Sequence, residues 1–295
     1  MSIYFNLLGQ AVYSVWLKNL QGQYLAVLDQ FEYLQYGRLE NNVGSLKLVL
    51  ANDAHRELIQ KDYVIEIWRR LPGGRFYLEG ETEWRIRKIR TAETALGTQI
   101  DVTAFDAIEL LNRPIAAYHA GTSYTGKSGP AGSVMRAVVL ENAGSGATSG
   151  DRWASGGFDS AFFGVEVDKA LGATVTGSSI IGRKVLNVLR DLASQSEDKG
   201  QQIFFDVVPI GQNQLQFQTF AGQRGTDLRG IVMLSTKFGT LNEASVTEDY
   251  TGSYNVVFAA GGGQETSRLI SVAGEDPNGP FDVIEKFVDA RQITT

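Results

Sequence analysis

The 295-residue chain contains no cysteine and only two histidines. The absence of cysteine excludes disulfide bonds, thiolate metal sites and cysteine nucleophiles. His55 and His119 are not part of an H-E-x-x-H pattern, and no G-x-S-x-G elbow is present. The sequence therefore contains no motif of a zinc enzyme or of a serine hydrolase. We therefore expect no catalytic residue, metal or cofactor, and we do not expect an enzyme.

Long hydrophobic runs and basic charge are also scarce. No run is long enough to cross a bilayer, and the first residues lack the basic start of a signal peptide. We expect synthesis in a cytoplasm and no membrane insertion by this chain. The 27 basic residues are outnumbered by 33 acidic ones, for a net charge of −6. Nucleic acid attracts basic patches through its phosphates, so specific DNA binding is not expected.

Proline is rare at 6 residues, whereas glycine is frequent at 33. Together with many Val, Ile, Thr, Tyr and Phe residues, this composition is typical of short strands joined by turns. Leu46, Leu48 and Leu50 alternate with other residues, and residues 185–193 have the spacing of one helical face. We predict a mainly β fold with a few helices. It has four parts: a first β domain at 1–112 that is a small barrel or sandwich, a loop-rich linking domain with one helix at 113–182, a helix and second β domain at 183–273, and a C-terminal tail at 274–295.

One motif matches the phosphate-binding pattern G-x-x-x-x-G-K-[ST]. Its members are Gly121, Gly126, Lys127 and Ser128. In a nucleotide site the backbone N–H groups cradle the phosphates, and a helix begins at the lysine. Here Pro130 delays the helix, and no parallel α/β pattern surrounds the motif. A structural loop is the preferred interpretation, and a nucleotide-binding enzyme stays as a weaker alternative.

Two polar faces are candidates for an interface or for the wall of a channel. Glu79, Glu81 and Glu83 alternate, which would place all three on one side of a strand. Arg85 and Arg87 continue the same parity, so a bulge switches the face, or the arginines pair with a neighbouring subunit's acids, or the whole face points outward. We favour pairing between subunits. The second face consists of Gln214, Gln216 and Gln218, which alternate with Leu215 and Phe217.

A resemblance to a known family covers most of the chain. Residues 102–114 resemble the element of siphophage tail-hub proteins in which a strand and an aspartate precede a Leu-Leu-x-Arg sequence, here with Asp106, Leu110, Leu111 and Arg113. Further similar segments follow in the same order along the chain: 185–193, 202–207, 220–227, 238–242, 261–263 and 285–291. The order of these segments, more than any one of them, carries the resemblance to tail-hub or minor tail proteins.

That resemblance implies a structural virion protein at the tail tip or baseplate, made in the host cytoplasm. The family is related in fold to the trimeric baseplate hub of contractile tails. It implies two small β-barrels of the tail-tube type, joined by a loop- and helix-rich linking domain. Three copies would form a ring with pseudo-sixfold symmetry.

The implied neighbours are the tail tube or distal tail protein above and a tip, spike or fibre protein below, with the tape measure protein as a further candidate. DNA would pass through the ring without specific binding. A hexameric distal-tail or adaptor protein remains the alternative.

Overall fold

The computed structural model describes residues 11–51, 55–71, 73–94, 97–117, 126–147, 157–177, 180–222, 235, 245–263, 267–274 and 283–291. The chain divides into two compact units, Met1–Gly225 and Thr226–Thr295. The larger unit contains two hydrophobic clusters, one for each of its two β regions.

The first β region is a sheet of eight strands. Their bounds are β1 Val12–Lys18, β2 Tyr24–Val27, β3 Phe31–Leu39, β4 Asn42–Leu50, β5 Val64–Arg70, β6 Tyr77–Leu78, β7 Trp84–Thr94 and β8 Gly97–Asp106. The order is β2-β1-β5-β7-β8-β4-β3, with β6 paired to β5, and all pairs are antiparallel. Such a sheet buries alternate residues, which explains the period of two in the sequence.

The core of this sheet confirms the predicted alternation. Leu46, Leu48 and Leu50 are buried in one cluster with Trp84, the largest side chain of that cluster. Tyr36 of β3 packs on Trp84 with ring centroids 6.0 Å apart. Because strands from both ends of the sheet order contribute to one cluster, the sheet curls around its core.

The second region combines helices with small sheets. It begins with a 3-10 helix, Ala107–Asn112, followed by β9 Lys127–Pro130, α1 Ala131–Asn142, β10 Phe163–Val165, β11 Thr174–Gly177, α2 Val185–Glu197, β12 Ile203–Gly211 and β13 Gln214–Ala221. One sheet has the order β10-β13-β12, and β9 pairs with β11. The buried faces of α1 and α2 share one cluster with the 3-10 helix and with β12 and β13.

Both helices of this region agree with the sequence patterns. The apolar face of α2, which includes Val188 and Leu192, packs in one cluster with Phe205 and Phe217, as its spacing indicated. Helix α1 also lies where the sequence placed it, directly after Pro130. The segment before Pro114 forms a 3-10 helix, a tighter form common in short connections.

The smaller unit contains a three-stranded sheet. Its strands are β14 Val256–Ala260, β15 Ile270–Gly274 and β16 Glu285–Asp289, in the order β15-β14-β16. Strand β14 pairs antiparallel with β15 and parallel with β16. Arg268 Nη2 lies 2.8 Å from Asp289 Oδ1 and thereby ties the start of β15 to the end of β16.

The fold is therefore mainly β with a few helices, as predicted. Within the described residues no sheet closes through backbone pairing, so the two barrels and the four domain boundaries remain predictions. No helix in the described part of the chain is long and apolar enough to cross a membrane.

Candidate functional site

The three glutamates predicted to share a strand face do not do so. Glu79 and Glu81 lie in a short 3-10 turn, where Gly80 and Glu81 have φ angles of 69° and 48°. An extended strand requires negative φ, so the alternation is broken before β7 begins. Glu83 is buried, with 2% of its surface exposed. The prediction of one acidic strand face is wrong, and Glu81 is the member of the three that stays exposed.

Glu83 belongs to a buried charge network on the first sheet. Lys18 Nζ lies 2.7 Å from Glu66 Oε1 and 3.7 Å from Glu83 Oε2, and Arg85 donates a hydrogen bond to Glu83. The Tyr24 hydroxyl donates to Glu66 at 2.9 Å. Burial and the nearby Glu66 carboxylate raise the pKa of Tyr24 to about 12, so its hydroxyl remains a donor. Paired and hydrogen-bonded in this way, the buried charges are tolerated.

Arg85 and Arg87 have acidic partners in their own chain. Arg85 bonds Glu83, and Arg87 Nη1 lies 2.8 Å from Asp62 Oδ1. The register between β7 and β8 shifts at Arg87, which is the extra residue of a bulge. This bulge follows Arg85, which still contacts Glu83, so it is not the switch of face between glutamates and arginines that their parity left open. Pairing of these arginines with a neighbouring subunit stays a prediction.

The glutamine face of β13 has the predicted alternation. Leu215 and Phe217 are buried, whereas Gln214 is exposed and Gln216 and Gln218 are half-buried. Gln218 Nε2 donates a hydrogen bond of 2.8 Å to Gln216 Oε1. The three glutamine side chains are polar and uncharged, and Gln218 is level with buried Asp206 on β12.

The phosphate-loop match has a different geometry from a nucleotide site. Gly121 lies outside the described residues. Gly126 precedes β9, and Lys127 and Ser128 lie within that strand, which pairs antiparallel with β11. Lys127 Nζ lies 2.8 Å from Glu141 Oε1 on α1. In a phosphate loop the helix would begin at the lysine, whereas here the lysine is in a strand and its ammonium is paired with a carboxylate.

Lys127→Ala should lower the free energy of unfolding by no more than about 0.5–1 kcal/mol, because a half-exposed ion pair contributes little. Urea unfolding of both proteins checks this value. Magnesium with ATP or GTP should leave the melting temperature of the wild-type protein unchanged. A nucleotide-dependent rise that disappears in Lys127→Ala would instead establish the nucleotide-binding alternative.

An ion cluster that sequence reasoning missed joins the two β regions of the larger unit. Arg38 Nη2 donates to both carboxylate oxygens of Asp206, at 2.6 and 2.8 Å, and Arg38 Nε lies 3.7 Å from Asp106 Oδ2. Arg38 also donates to the Gly80 carbonyl. Both carboxylates are buried, so one guanidinium faces two acids with little solvent nearby. The cluster connects β3 and the end of β8 with β12.

Asn41 strengthens the same junction. Its side-chain oxygen accepts a hydrogen bond of 2.9 Å from the Phe205 backbone, and its amide donates at 3.1 Å to the Ile203 carbonyl. The Asn41 side chain therefore occupies the place of a neighbouring strand at the edge of β12. Asn41 sits in the β3–β4 turn with φ of 53°, a conformation that asparagine tolerates.

Asp106 is the least satisfied member of the cluster. Within the described residues neither of its oxygens makes a hydrogen bond of good geometry. Burial raises its pKa to about 6, although Arg38 and the Gly44 backbone act in the opposite direction. The folded protein therefore binds a proton at Asp106 more tightly than the unfolded chain does.

Stability should depend on pH through this carboxyl. A raised folded pKa stabilises the fold below about pH 4, and that contribution is lost as the pH rises through about 6. Relative to Asp106→Asn, the wild-type free energy of unfolding should fall by about 2–3 kcal/mol between pH 4 and 7. Urea unfolding of both proteins across this range measures the difference. Parallel curves would contradict the assignment.

The solved structures to which this chain is similar share little sequence identity with it. A tail protein from Neisseria meningitidis MC58 is 11% identical with a TM-score of 0.47, over 95% of this chain and 72% of that one. The 43 kDa tail protein of prophage MuSo2 from Shewanella oneidensis is 10% identical with a TM-score of 0.49, over 96% and 74%. The lidded PdpA–VgrG complex of Francisella is 13% identical with a TM-score of 0.45, over 97% and 41%. No curated protein matches the chain.

A family model, in contrast, describes nearly the whole chain. It matches residues 13–295. This match places the chain in a family of siphovirus tail proteins. The chain belongs to the Siphovirus ReqiPepy6 Gp37-like protein family, and the resemblance to siphophage tail proteins noted in the sequence is confirmed.

Proposed function

We propose that this protein is the central hub at the tip or baseplate of the phage tail, where three copies form a ring. The observation that carries this proposal is the family match over residues 13–295. The larger unit supports it by building two β regions around two separate hydrophobic clusters. If each region contributes to a tail-tube-like barrel, three copies present six such units. A trimer could then match a hexameric tube or distal ring above it and a tip, spike or fibre protein below.

The proposed ring surrounds a channel through which DNA passes. Basic residues along the wall would bind phosphates and slow this passage, so the wall should be polar or acidic. The glutamine face of Gln214, Gln216 and Gln218 suits such a wall because it is polar without charge. Exposed Glu81 is the acidic candidate, since Glu83 lies buried in its own chain. In this role the protein has a structural and not an enzymatic function, with the tape measure protein as a further contact.

Counting copies in purified particles tests the proposal. Isotope-labelled peptides from this chain and from the tail tube protein give the number of copies per tail by mass spectrometry. Three copies are expected for the hub. Six copies would favour a distal-tail or adaptor ring, and a single copy would exclude both assemblies.

A further inference from the structure

The three-stranded sheet of the smaller unit exposes an apolar face. Val272 of β15, Phe258 of β14 and Phe287 of β16 are level with one another across the three strands. Level residues of paired strands point to the same face, and Ile270 lies on that face two positions from Val272. Ile270, Val272 and Phe287 have 62%, 56% and 59% of their surface exposed. Large apolar side chains that are exposed side by side mark an interaction surface.

Both edges of this sheet are open. The order β15-β14-β16 places β15 and β16 at the edges, and all five residues of each strand are exposed. In the part of the chain that the structure describes, neither strand pairs with any strand other than β14. An open edge presents a row of N–H and C=O groups that another strand can bind.

The edge of β12 in the larger unit is protected, whereas the edge of β15 is not. The Asn41 side chain bonds two backbone groups of β12. The Asp206 carboxylate accepts a hydrogen bond of 2.8 Å from the Val207 N–H, and Pro209 has no N–H to offer. Strand β15 contains neither a charged residue nor a proline. An edge strand of this kind is suited to pairing with another chain.

Every second residue of β15 directs its backbone groups outward. The Gly261 N–H donates a hydrogen bond to the Leu269 carbonyl where the ladder with β14 begins. Bonded and non-bonded pairs alternate along an antiparallel ladder, so the odd-numbered residues of β15 bond β14. The N–H and C=O groups of Ile270, Val272 and Gly274 therefore point away from β14.

The backbone of β16 has a matching arrangement. Ile284 and Ala290, on either side of this strand, both bond β14 through their backbone groups. Every second residue of a strand bonds the same neighbour, so the even-numbered residues of β16 face β14. The N–H and C=O groups that point outward belong to Glu285, Phe287 and Asp289.

The two edges fit each other in direction and in register. Strand β14 is antiparallel to β15 and parallel to β16, so β15 and β16 run in opposite directions. If the β15 strand of a second copy lies beside β16 with both sheets oriented alike, the new pair is antiparallel. Phe287 is then level with Val272 of the second copy, and the outward backbone groups of both residues meet. The apolar faces of the two sheets also lie on the same side.

Pairing between two identical edges is less favourable. Antiparallel pairing of β16 with β16 of another copy brings Glu285 opposite Asp289, and like charges directly opposite each other are destabilising. Pairing of β15 with β15 leaves β16 open in both copies. Pairing of β15 with β16 places the charged strand beside an uncharged one and uses both edges of every copy.

We propose that neighbouring copies of this chain join through the smaller unit, with β16 of one copy paired antiparallel to β15 of the next. The inference rests on the proposed ring, since a contact between two different edges is head-to-tail and repeats in every copy. Three copies then close their sheets into one small barrel with the apolar faces inside, where side chains fill the interior. A filled barrel has no room for DNA, so the channel wall belongs to the larger units.

A pair of introduced cysteines tests the contact in assembled tails, because the chain has no cysteine of its own. Ser271 and Val288 are both level with Ala259, so the proposed contact places Ser271 of one copy opposite Val288 of the next. Their Cα atoms would lie about 4.5 Å apart, within the range of a disulfide. Within one copy the same two positions are separated by β14 and lie about 10 Å apart, which is too far.

After oxidation, we expect Ser271→Cys/Val288→Cys to give a covalent trimer on a non-reducing gel and each single variant to stay monomeric. A covalent dimer from either single variant would overturn the inference, because it requires identical edges to meet. Tails that contain three copies and yield no linked product would also overturn it and leave the hub proposal standing. Linked products of up to six copies would support the strand contact and refute the trimeric hub.

A proline substitution provides a second test. The Val272 N–H points outward, so Val272→Pro removes a hydrogen bond of the contact and none within the unit. Incorporation of the chain into tails should fall at least about tenfold, because the proline ring also obstructs the neighbouring strand. Val272→Ile keeps the N–H and should change incorporation by less than about threefold. Equal unfolding midpoints separate lost contact from lost folding, and normal incorporation of Val272→Pro would contradict the inference.

Discussion

Phe217→Ala should lower the free energy of unfolding by about 3–5 kcal/mol. Phe217 is fully buried on β13, and its ring centroid lies 6.2 Å from that of Phe205 on β12. Its cluster also holds the apolar faces of α1 and α2, so a truncated ring leaves a cavity where two helices meet the sheet. Urea unfolding followed by circular dichroism measures the change.

The neighbouring residue provides the control for this substitution. Gln216 lies on the polar face of the same strand and is half-buried. Gln216→Ala should change the free energy of unfolding of the isolated protein by less than about 0.5 kcal/mol. Equal losses at both positions would mean that the face assignment of β13 is incorrect.

Arg38→Met should destabilise the protein by a similar amount, about 3–5 kcal/mol, because it leaves two buried carboxylates without their cation. Methionine keeps much of the length and volume of the arginine stem, so the change acts mainly on charge. Asp206 loses two short hydrogen bonds, and Asp106 loses the positive charge that opposes its desolvation.

A second substitution separates charge from packing in this cluster. Asp206→Asn in the Arg38→Met background removes one uncompensated charge and should recover part of the lost stability. Arg90→Met, at a surface ion pair, should cost less than about 1 kcal/mol. Urea unfolding of the wild type, the two single variants and the double variant measures these differences in the free energy of unfolding. Equal losses for Arg38→Met and Arg90→Met would show that the buried cluster contributes nothing beyond a surface pair.

Periodic features of this fold could be predicted from the sequence. The alternation at Leu46, Leu48 and Leu50 places β4 in the core, and the spacing of Val188 and Leu192 defines the buried face of α2. These elements follow local rules, since burial repeats every two residues in a strand and every three or four in a helix.

Features that depend on a single backbone angle or on distant partners could not be predicted. The alternation of the three glutamates suggests a strand, yet the left-handed conformation of Gly80 and Glu81 interrupts it. Arg38 and Asp206 are 168 positions apart in the chain and lie in no common motif.

Among the candidate surfaces, too, some could be predicted from local sequence patterns and others could not. Leu215 and Phe217 identify the glutamine face by simple alternation, whereas the parity of Arg85 and Arg87 does not identify their partners Glu83 and Asp62. Pro130 already argues against a phosphate loop in the sequence, because it delays the helix. In the structure Lys127 lies in β9, so no helix begins at the lysine. The local sequence pattern thus predicts polar strand faces, whereas contacts between distant residues determine which of their side chains remain exposed.

A reconstruction of the intact tail tip by electron cryomicroscopy shows whether this chain forms the proposed trimeric hub. We expect density for three copies of this chain around one axis, between the hexameric tube or distal ring and the tip, with acidic and polar residues outnumbering lysine and arginine along the channel. Six copies in one ring, a single copy, or a channel wall dominated by basic side chains would contradict it.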